Sequence, residues 1–485
     1  MVTRRAFMKL SAVATIAPIL GRADDGEGAG KRPNFVVIFC DDLGYGDIGP
    51  FGSTKHRTPN LDRMAAEGRI FTDFYVTSGV CSPSRASLMT GCYPRRVGLH
   101  ENETGAWVLF PGNKRGLNSE EVTVAEILRE AGYATAAVGK WHLGDQPEFL
   151  PTRHGFDSYF GIPYSNDMGH QDRPKPYTWP PLPLLRGEQV IEEEPDQAYL
   201  TQRYTAEAIH FIKENRDRPF FLYLPHTMPH WPQYSSPRFA GKSANGSWGD
   251  AVEEIDWSTG QILKTLRELD LAEDTLVVFL SDNGGALHHG ASNAPLTGGK
   301  GTTWEGGHRV PFIAWWPGRI PAGTSTSEIA TSMDLLPTLA GLAGGGPPQD
   351  RAIDGKDIWP LLAGESDAKT PHEAYFYYFR GQLKAVRSGR WKLRVAAPRQ
   401  RRGEKPLPDR ALFDLERDVA ERNNVLEKHP DVVARLEKLL DAARRDLGDD
   451  LTDSPGGGVR PPGHVPNART LTKNPPSKPA GEKNR

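Results

Sequence analysis

Four apolar, β-rich runs in this chain each lead straight into residues of metal-ligating or acid/base type. Residues 34–39 lead to Asp41-Asp42. Residues 134–138 lead to Gly139-Lys140-Trp141-His142. Residues 220–224 lead to His226 and His230, and residues 275–280 lead to Ser281-Asp282-Asn283-Gly284-Gly285. Helical patterns fall between them, at 60–67 (closed by Gly68), 122–130 (with Gly132 just beyond), 201–214 and 250–269. Continuous apolar strands alternating with helices predict an α/β domain with a large, mostly parallel sheet covered on both faces. Ligand sites in such sheets lie beyond the carboxyl ends of the strands. One polar cluster after a strand is ordinary loop chemistry, whereas four at that end predict convergence on one site.

The remaining segments differ in texture. Short antiparallel strands are predicted at 375–379, 383–387 and 391–394, turning at Gly381 and Gly389, before a helix at 430–446. This gives a catalytic domain over 33–370 and a small C-terminal α+β domain over 371–450. Residues 451–485 hold seven Pro, five Gly and no aromatic residue, a composition that predicts a disordered tail. At the other end, Arg4-Arg5 precede Phe7, Lys9 and an apolar run over 10–20. That run is too short to span a bilayer and suits a twin-arginine export signal over 1–23, with cleavage near Ala23 and a periplasmic or secreted destination. No membrane anchor is predicted. The 59 basic and 61 acidic residues balance, which gives no reason to expect a nucleic-acid partner. Gly (51) and Pro (41) make up close to one residue in five, which disfavours a helical bundle.

Asp41, Asp42, Asp282 and Asn283 offer only oxygen ligands, a set suited to Ca²⁺ or Mg²⁺ and not to Zn²⁺. Taken singly, each pair is also an ordinary turn. Cys81-Ser82-Pro83-Ser84-Arg85-Ala86-Ser87-Leu88-Met89-Thr90-Gly91 places a thiol at a predicted helix start, whose N–H groups favour an anion. Arg85 lies about one turn in. The plain alternative is a buried Cys before a capped helix. Three Cys make no disulfide framework, and Cys40 and Cys92 have no assigned role.

The Cys81–Gly91 segment resembles the signature of the type I, formylglycine-dependent sulfatases, of the alkaline-phosphatase-like superfamily. Asp41-Asp42-Leu43-Gly44, Thr58-Pro59-Asn60-Leu61-Asp62, Gly139-Lys140-Trp141-His142-Leu143-Gly144, His226-Thr227-Met228-Pro229-His230, Asp282-Asn283-Gly284-Gly285 and the segment from Gly299-Lys300-Gly301 to Gly307 resemble the same family, in order. So does Ala411-Leu412-Phe413-Asp414-Leu415. Gly161-Ile162-Pro163-Tyr164-Ser165-Asn166-Asp167 is similar to the arylsulfatase A branch. The resemblance implies Ca²⁺, with Mg²⁺ second, held by Asp41, Asp42, Asp282, Asn283 and modified Cys81. It implies a maturation partner, the formylglycine-generating enzyme, and a sulfated small molecule or sulfated glycan as substrate. Catalytic roles fall to Cys81, Arg85, Lys140, His142, His230 and Lys300, and substrate contacts to Ser165, Lys140, His230 and Lys300.

The implied mechanism starts from an aldehyde made from Cys81 and hydrated to a geminal diol. One hydroxyl attacks sulfur in line, and the alcohol leaves as Lys300 or His230 donates a proton. His142 deprotonates the second hydroxyl, and collapse of the diol expels sulfate. A plain thiol has no second hydroxyl to drive that last step. Two other classes compete: a phosphatase or phosphodiesterase of the same superfamily, which would want a Ser or Thr nucleophile and His-rich paired metals, and a non-catalytic sulfated-glycan binder with an unmodified Cys81.

Overall fold

In the computed structural model, the described residues are 32–171, 175–397 and 407–473. The proposed signal at 1–23 lies outside them. The strands of the main sheet are β1 (Asn34–Cys40), β2 (Arg69–Phe71), β3 (Ala134–Val138), β4 (Ser158–Gly161), β5 (Pro183–Arg186), β6 (Gln189–Glu193), β7 (Phe220–Pro225), β8 (Thr275–Ser281), β9 (Phe312–Trp315) and β10 (Thr324–Thr326). They lie in the order β10-β2-β9-β8-β1-β7-β3-β4-β5-β6. The five central strands, β8 to β4 in that order, are mutually parallel. Antiparallel partners flank them at β9 and β5.

Successive side chains of β1 go to opposite faces, as strand geometry requires. Phe35, Val37 and Phe39 join one apolar cluster with Leu88, Leu128 and Leu336. Val36, Ile38 and Cys40 join another with Leu61, Tyr204 and Ile255. Both clusters include helical residues, which is why the central strands read as unbroken apolar runs. The helices correspond closely to their sequence patterns: Pro59–Glu67, Val124–Glu130, Leu200–Glu214 and Gly246–Glu268.

A second, four-stranded antiparallel sheet comprises Tyr375–Phe379, Gln382–Ser388, Trp391–Arg394 and Ala411–Asp414. Helix Pro430–Asp446 packs on it through Leu436, Leu440 and Ala443.

The disordered tail expected over 451–485 needs correction. Gly463–His464 pairs antiparallel with Arg115–Gly116, and Arg460 forms an ion pair with Glu121. Residues as far as 473 make hydrogen bonds with the rest of the chain. Most of the segment's partners are backbone groups and charges, with Val465 buried and Leu471 packed against the main apolar cluster. Residues 474–485 lie outside the described residues.

Candidate active site

The register of the sheet levels the strand ends. Cys40 pairs with Ser281, and Phe39 with Pro225, so Asp41, His226 and Asp282 leave the sheet side by side. The Asp42 amide donates to Asp282 Oδ1 at 3.1 Å, and the Asp282 amide to the Cys40 carbonyl at 2.9 Å. Asp42 and His142 both hold left-handed φ, +67° and +63°. Such conformations are uncommon outside glycine and gather at functional sites. Gly139 allows the adjacent turn: a Cβ there would lie 1.9 Å from the Pro225 carbonyl oxygen, to which Lys140 N donates at 2.8 Å.

Cys81 opens a helix, Cys81–Thr90, all of whose residues are buried. Sγ of Cys81 and carboxylate oxygens of Asp41 and Asp282 lie within 4.8 Å of one another. Burial pushes the Cys81 thiol up to about 11, despite Lys140 and Lys300 nearby. An unmodified Cys81 is therefore a protonated thiol at neutral pH, a poor nucleophile.

Arg85 does not face outward. Its guanidinium binds Asp282 Oδ2 at 2.7 and 3.2 Å, donates to the Lys140 carbonyl at 2.9 Å and lies 3.7 Å from Asp41. Lys140 Nζ donates to Asp41 Oδ2 at 2.5 Å and to Ser165 Oγ at 3.2 Å. Lys300 Nζ donates to Asp42 Oδ2 at 2.8 Å and is the most open of the group, with 18% of its side chain exposed. Burial opposes the Lys300 charge, but Asp42 outweighs it and holds the ammonium well above its ordinary range. Burial likewise opposes the Asp41 charge, and Lys140, His230 and Arg85 overcome it, keeping the carboxyl low. Burial and the charge of Asp41 push Asp282 up to about 7.

The histidine tautomers follow from their partners. His142 Nε2 lies 2.9 Å from the Leu109 carbonyl, which only accepts, so Nε2 carries the proton. Nδ1 is left buried, unpartnered and unprotonated. Burial, then Lys140, hold the His142 pKa well below that of free imidazole. His230 Nδ1 meets Asn166 Oδ1 at 3.0 Å. Asn166 Nδ2 donates to Gln197 and to the Pro232 carbonyl, which fixes its oxygen as the acceptor. His230 Nε2 therefore faces Asp42, 3.7 Å away. Asn166 has no assigned role in the sequence reading, and its one local signal is its place in the Ser165-Asn166-Asp167 stretch after β4.

Asn283 Nδ2 donates to Asp42 Oδ1 at 2.8 Å. Asn283 Oδ1 and Asp41 Oδ1 are buried acceptors without a partner. Unpartnered oxygens among three buried carboxylates fit a hard divalent cation. All eleven sequence-predicted site residues therefore come to one place. His226 falls behind it, bonded to Ser258 at 3.3 Å. Trp141 is core, its indole N–H donating to the Phe149 carbonyl at 2.7 Å.

Residues 33–345 match the family model described as Sulfatase, and residues 299–446 that described as N-sulphoglucosamine sulphohydrolase, C-terminal. The chain is 44% identical to N-acetylgalactosamine-6-sulfatase of Canis lupus familiaris over 382 residues, covering 75% of this chain and 72% of that protein. It is 40% identical to arylsulfatase A of Homo sapiens over 470 residues, covering 86% and 90%. It resembles the crystal structure of Ps i-CgsB in complex with k-i-k-neocarrahexaose with a TM-score of 0.72 at 31% identity, covering 85% of this chain and 92% of that one.

Proposed function

Because the chain belongs to the sulfatase family and hydrolyses sulfate esters, we propose that Cys81, matured to formylglycine, is its nucleophile and that Asp41, Asp42, Asp282 and Asn283 hold Ca²⁺ beside it. The observation that carries this reading is the pair of unpartnered buried oxygens, Asp41 Oδ1 and Asn283 Oδ1, next to the Cys81 helix start. Hydrated formylglycine supplies one hydroxyl to attack sulfur and a second to expel sulfate. A bound divalent cation supplies positive charge to the sulfuryl oxygens and favours an ionised nucleophile.

This chain's own residues do the rest. Lys140 and Lys300, with Ser165 and His230, bind the sulfuryl oxygens, where charge develops. Lys300 or His230 gives the proton that the leaving alcohol needs. His142, with Nδ1 unprotonated and without a partner, takes the proton of the second hydroxyl. Arg85 holds Asp282 and Asp41 in place and balances their charge.

Sulfated carbohydrates are the proposed substrate class, ahead of aryl sulfates. An N-acetylgalactosamine-6-sulfatase among the relatives and a similar structure carrying an oligosaccharide support that order. We also propose export by the 1–23 signal and maturation by a formylglycine-generating enzyme.

The test is mass spectrometry of the peptide spanning 69–95, paired with Cys81→Ala. The expected result is an aldehyde at Cys81, lighter than the thiol, and no turnover by the variant. A thiol in fully active enzyme overturns the reading. Faster cleavage of an aryl phosphate than of the matching aryl sulfate would instead identify a phosphatase.

A further inference from the structure

Residues 459–473 run as a strap along the loops that carry His142, and we propose that this strap is a positioning element for that histidine. Four grips hold it. Arg460 binds Glu121 through Nε and Nη2 at 2.7 and 2.9 Å, and its amide donates to the Arg96 carbonyl at 2.6 Å. Gly463–His464 pairs with Arg115–Gly116. Val465 N donates to the Lys114 carbonyl at 2.9 Å. Arg469 and Gln146 exchange two hydrogen bonds: Arg469 N to Gln146 Oε1 at 2.6 Å, and Gln146 Nε2 to the Arg469 carbonyl at 2.9 Å. Gln146 is 1% exposed. The packing is close, since a Cβ on Gly463 would fall 2.7 Å from the Phe149 ring.

Two of the gripped segments lead on to His142 through hydrogen bonds. Leu117, next to the paired Gly116, donates to the carbonyl of Leu143 at 2.8 Å. Gln146 Nε2 also binds Asp145 Oδ1 at 2.9 Å, and Asp145 Oδ2 accepts from Gly112 N at 2.7 Å. That ties down the 109–112 segment, whose Leu109 carbonyl accepts from His142 Nε2. The Leu109 amide in turn donates to Ser82 Oγ at 3.2 Å, beside Cys81. His142 therefore has its ring held by Leu109 and its backbone neighbour held by Leu117, and the strap clamps both routes. No described strap residue bonds to the predicted site residues, so the strap positions and does not react. A displacement of about 1 Å at a reacting group can lower a rate about 100-fold.

The inference rests on the proposed role of His142. The experiment compares the mature full chain with a truncation after Gly458, a truncation after Lys473 and Gln146→Ala. Each rate is divided by the measured aldehyde content at Cys81. The chain ending at Lys473 is expected to keep the full-chain kcat. Truncation after Gly458 is expected to lose about 10- to 100-fold in kcat with KM within about twofold, and a synthetic 459–473 peptide is expected to restore it. Gln146→Ala is expected to lose kcat in the same sense with KM and unfolding midpoint unchanged. An unchanged kcat in Gln146→Ala overturns the proposal, even if the truncated chain does not fold. Rates that fall only in step with the unfolding midpoint overturn it too. His142→Ala separates the two ideas. If that variant keeps the full rate, the role of His142 is wrong; if it is inactive while Gln146→Ala is normal, only the strap is wrong.

Discussion

Replacing Lys392 by Met should make the chain unfold far more easily than its place outside the candidate metal site suggests, and replacing Glu421 at the same time should undo much of the damage. Lys392 lies on the third strand of the small sheet with its side chain fully buried. Its Nζ is 2.8 Å from Glu421 Oε1, 3.0 Å from Glu305 Oε1 and 3.0 Å from the Thr303 carbonyl. Glu305 keeps other support without it, from the hydroxyls of Tyr75 (2.5 Å) and Tyr377 (2.6 Å), and from Arg309 and Arg387 at 3.7 and 3.8 Å. Among the described residues, Glu421 has Lys392 as its one ion-pair partner. Burial already pushes the Glu421 carboxyl up to about 7, against the pull of Lys392.

Breaking a buried pair from one side costs about 3–5 kcal/mol, because a charge is left uncompensated. Lys392→Met should therefore sit in that range, towards the lower end where Glu421 can take up a proton. Glu421→Gln in the Lys392→Met background removes the stranded charge and keeps an acceptor for the Glu305 amide, now bonded to Glu421 Oε2 at 2.7 Å. The expected coupling is about 2 kcal/mol, within the range for groups in one network. Urea unfolding of the four chains at neutral pH measures it. Additive effects, with coupling under about 0.5 kcal/mol, would refute the claim that one closed charge network joins these residues.

Three other outcomes are expected. Lys300→Ala should lower kcat about 10²- to 10³-fold, the cost of removing one preorganised donor to a developing charge; turnover of an aryl sulfate checks it, and a change confined to KM would point to ground-state binding alone. Removal of divalent cations by a chelator should abolish turnover and lower the unfolding midpoint, and Ca²⁺ should restore both; saturation at 100 times Kd corresponds to about 2.7 kcal/mol. His372 Nε2 lies 2.8 Å from Asp334 Oδ1, and although burial opposes its charge, Asp334 raises its pKa above the ordinary value. A raised folded-state value gives stability that is fully present below the unfolded value, about 6.5, and is lost as pH rises through the folded value. The stability that His372 contributes should therefore decline as pH rises above about 6.5, and urea midpoints of His372→Gln should lack that part of the wild-type decline.

The candidate metal carboxylates were legible because each pair follows an unbroken apolar strand, and strand ends of parallel sheets are where sites form. What the sequence could not carry was direction. Arg85 has the right spacing to meet a substrate, yet it turns to Asp282. That choice depends on Cys40 lying opposite Ser281, a register between residues far apart in the chain. The flanking antiparallel strands Pro183–Arg186 and Phe312–Trp315 are four residues each, too short for alternation to separate them from loops. The tail misled for another reason. Composition registers that 451–473 lacks aromatic side chains, but its ordering comes from backbone pairing and from Arg460 meeting Glu121, 339 residues earlier.

The ten-stranded sheet lies before residue 370 and the four-stranded sheet after it, but the chemistry does not divide there. The loop that carries Lys300 is fixed on one side by Gly301 N on the Gly79 carbonyl at 2.7 Å, beside the Cys81 helix. On the other side it is fixed by Glu305, whose amide and carboxylate are held by Glu421, Lys392 and Tyr377, all beyond residue 371. Glu305 is fully buried, so a fragment ending at 370 would expose or strand that carboxylate beside Tyr75. The loop would then have lost the partners that set its height over Asp42. The match of one family model to residues 299–446 spans this joint, beginning just before Lys300 and running through the small sheet and its helix. A donor that must meet a developing charge within a few tenths of an ångström needs a rigid support. Here that support is the small sheet and the loop after it, so the chain beyond residue 371 props the candidate site although it lends no residue to it.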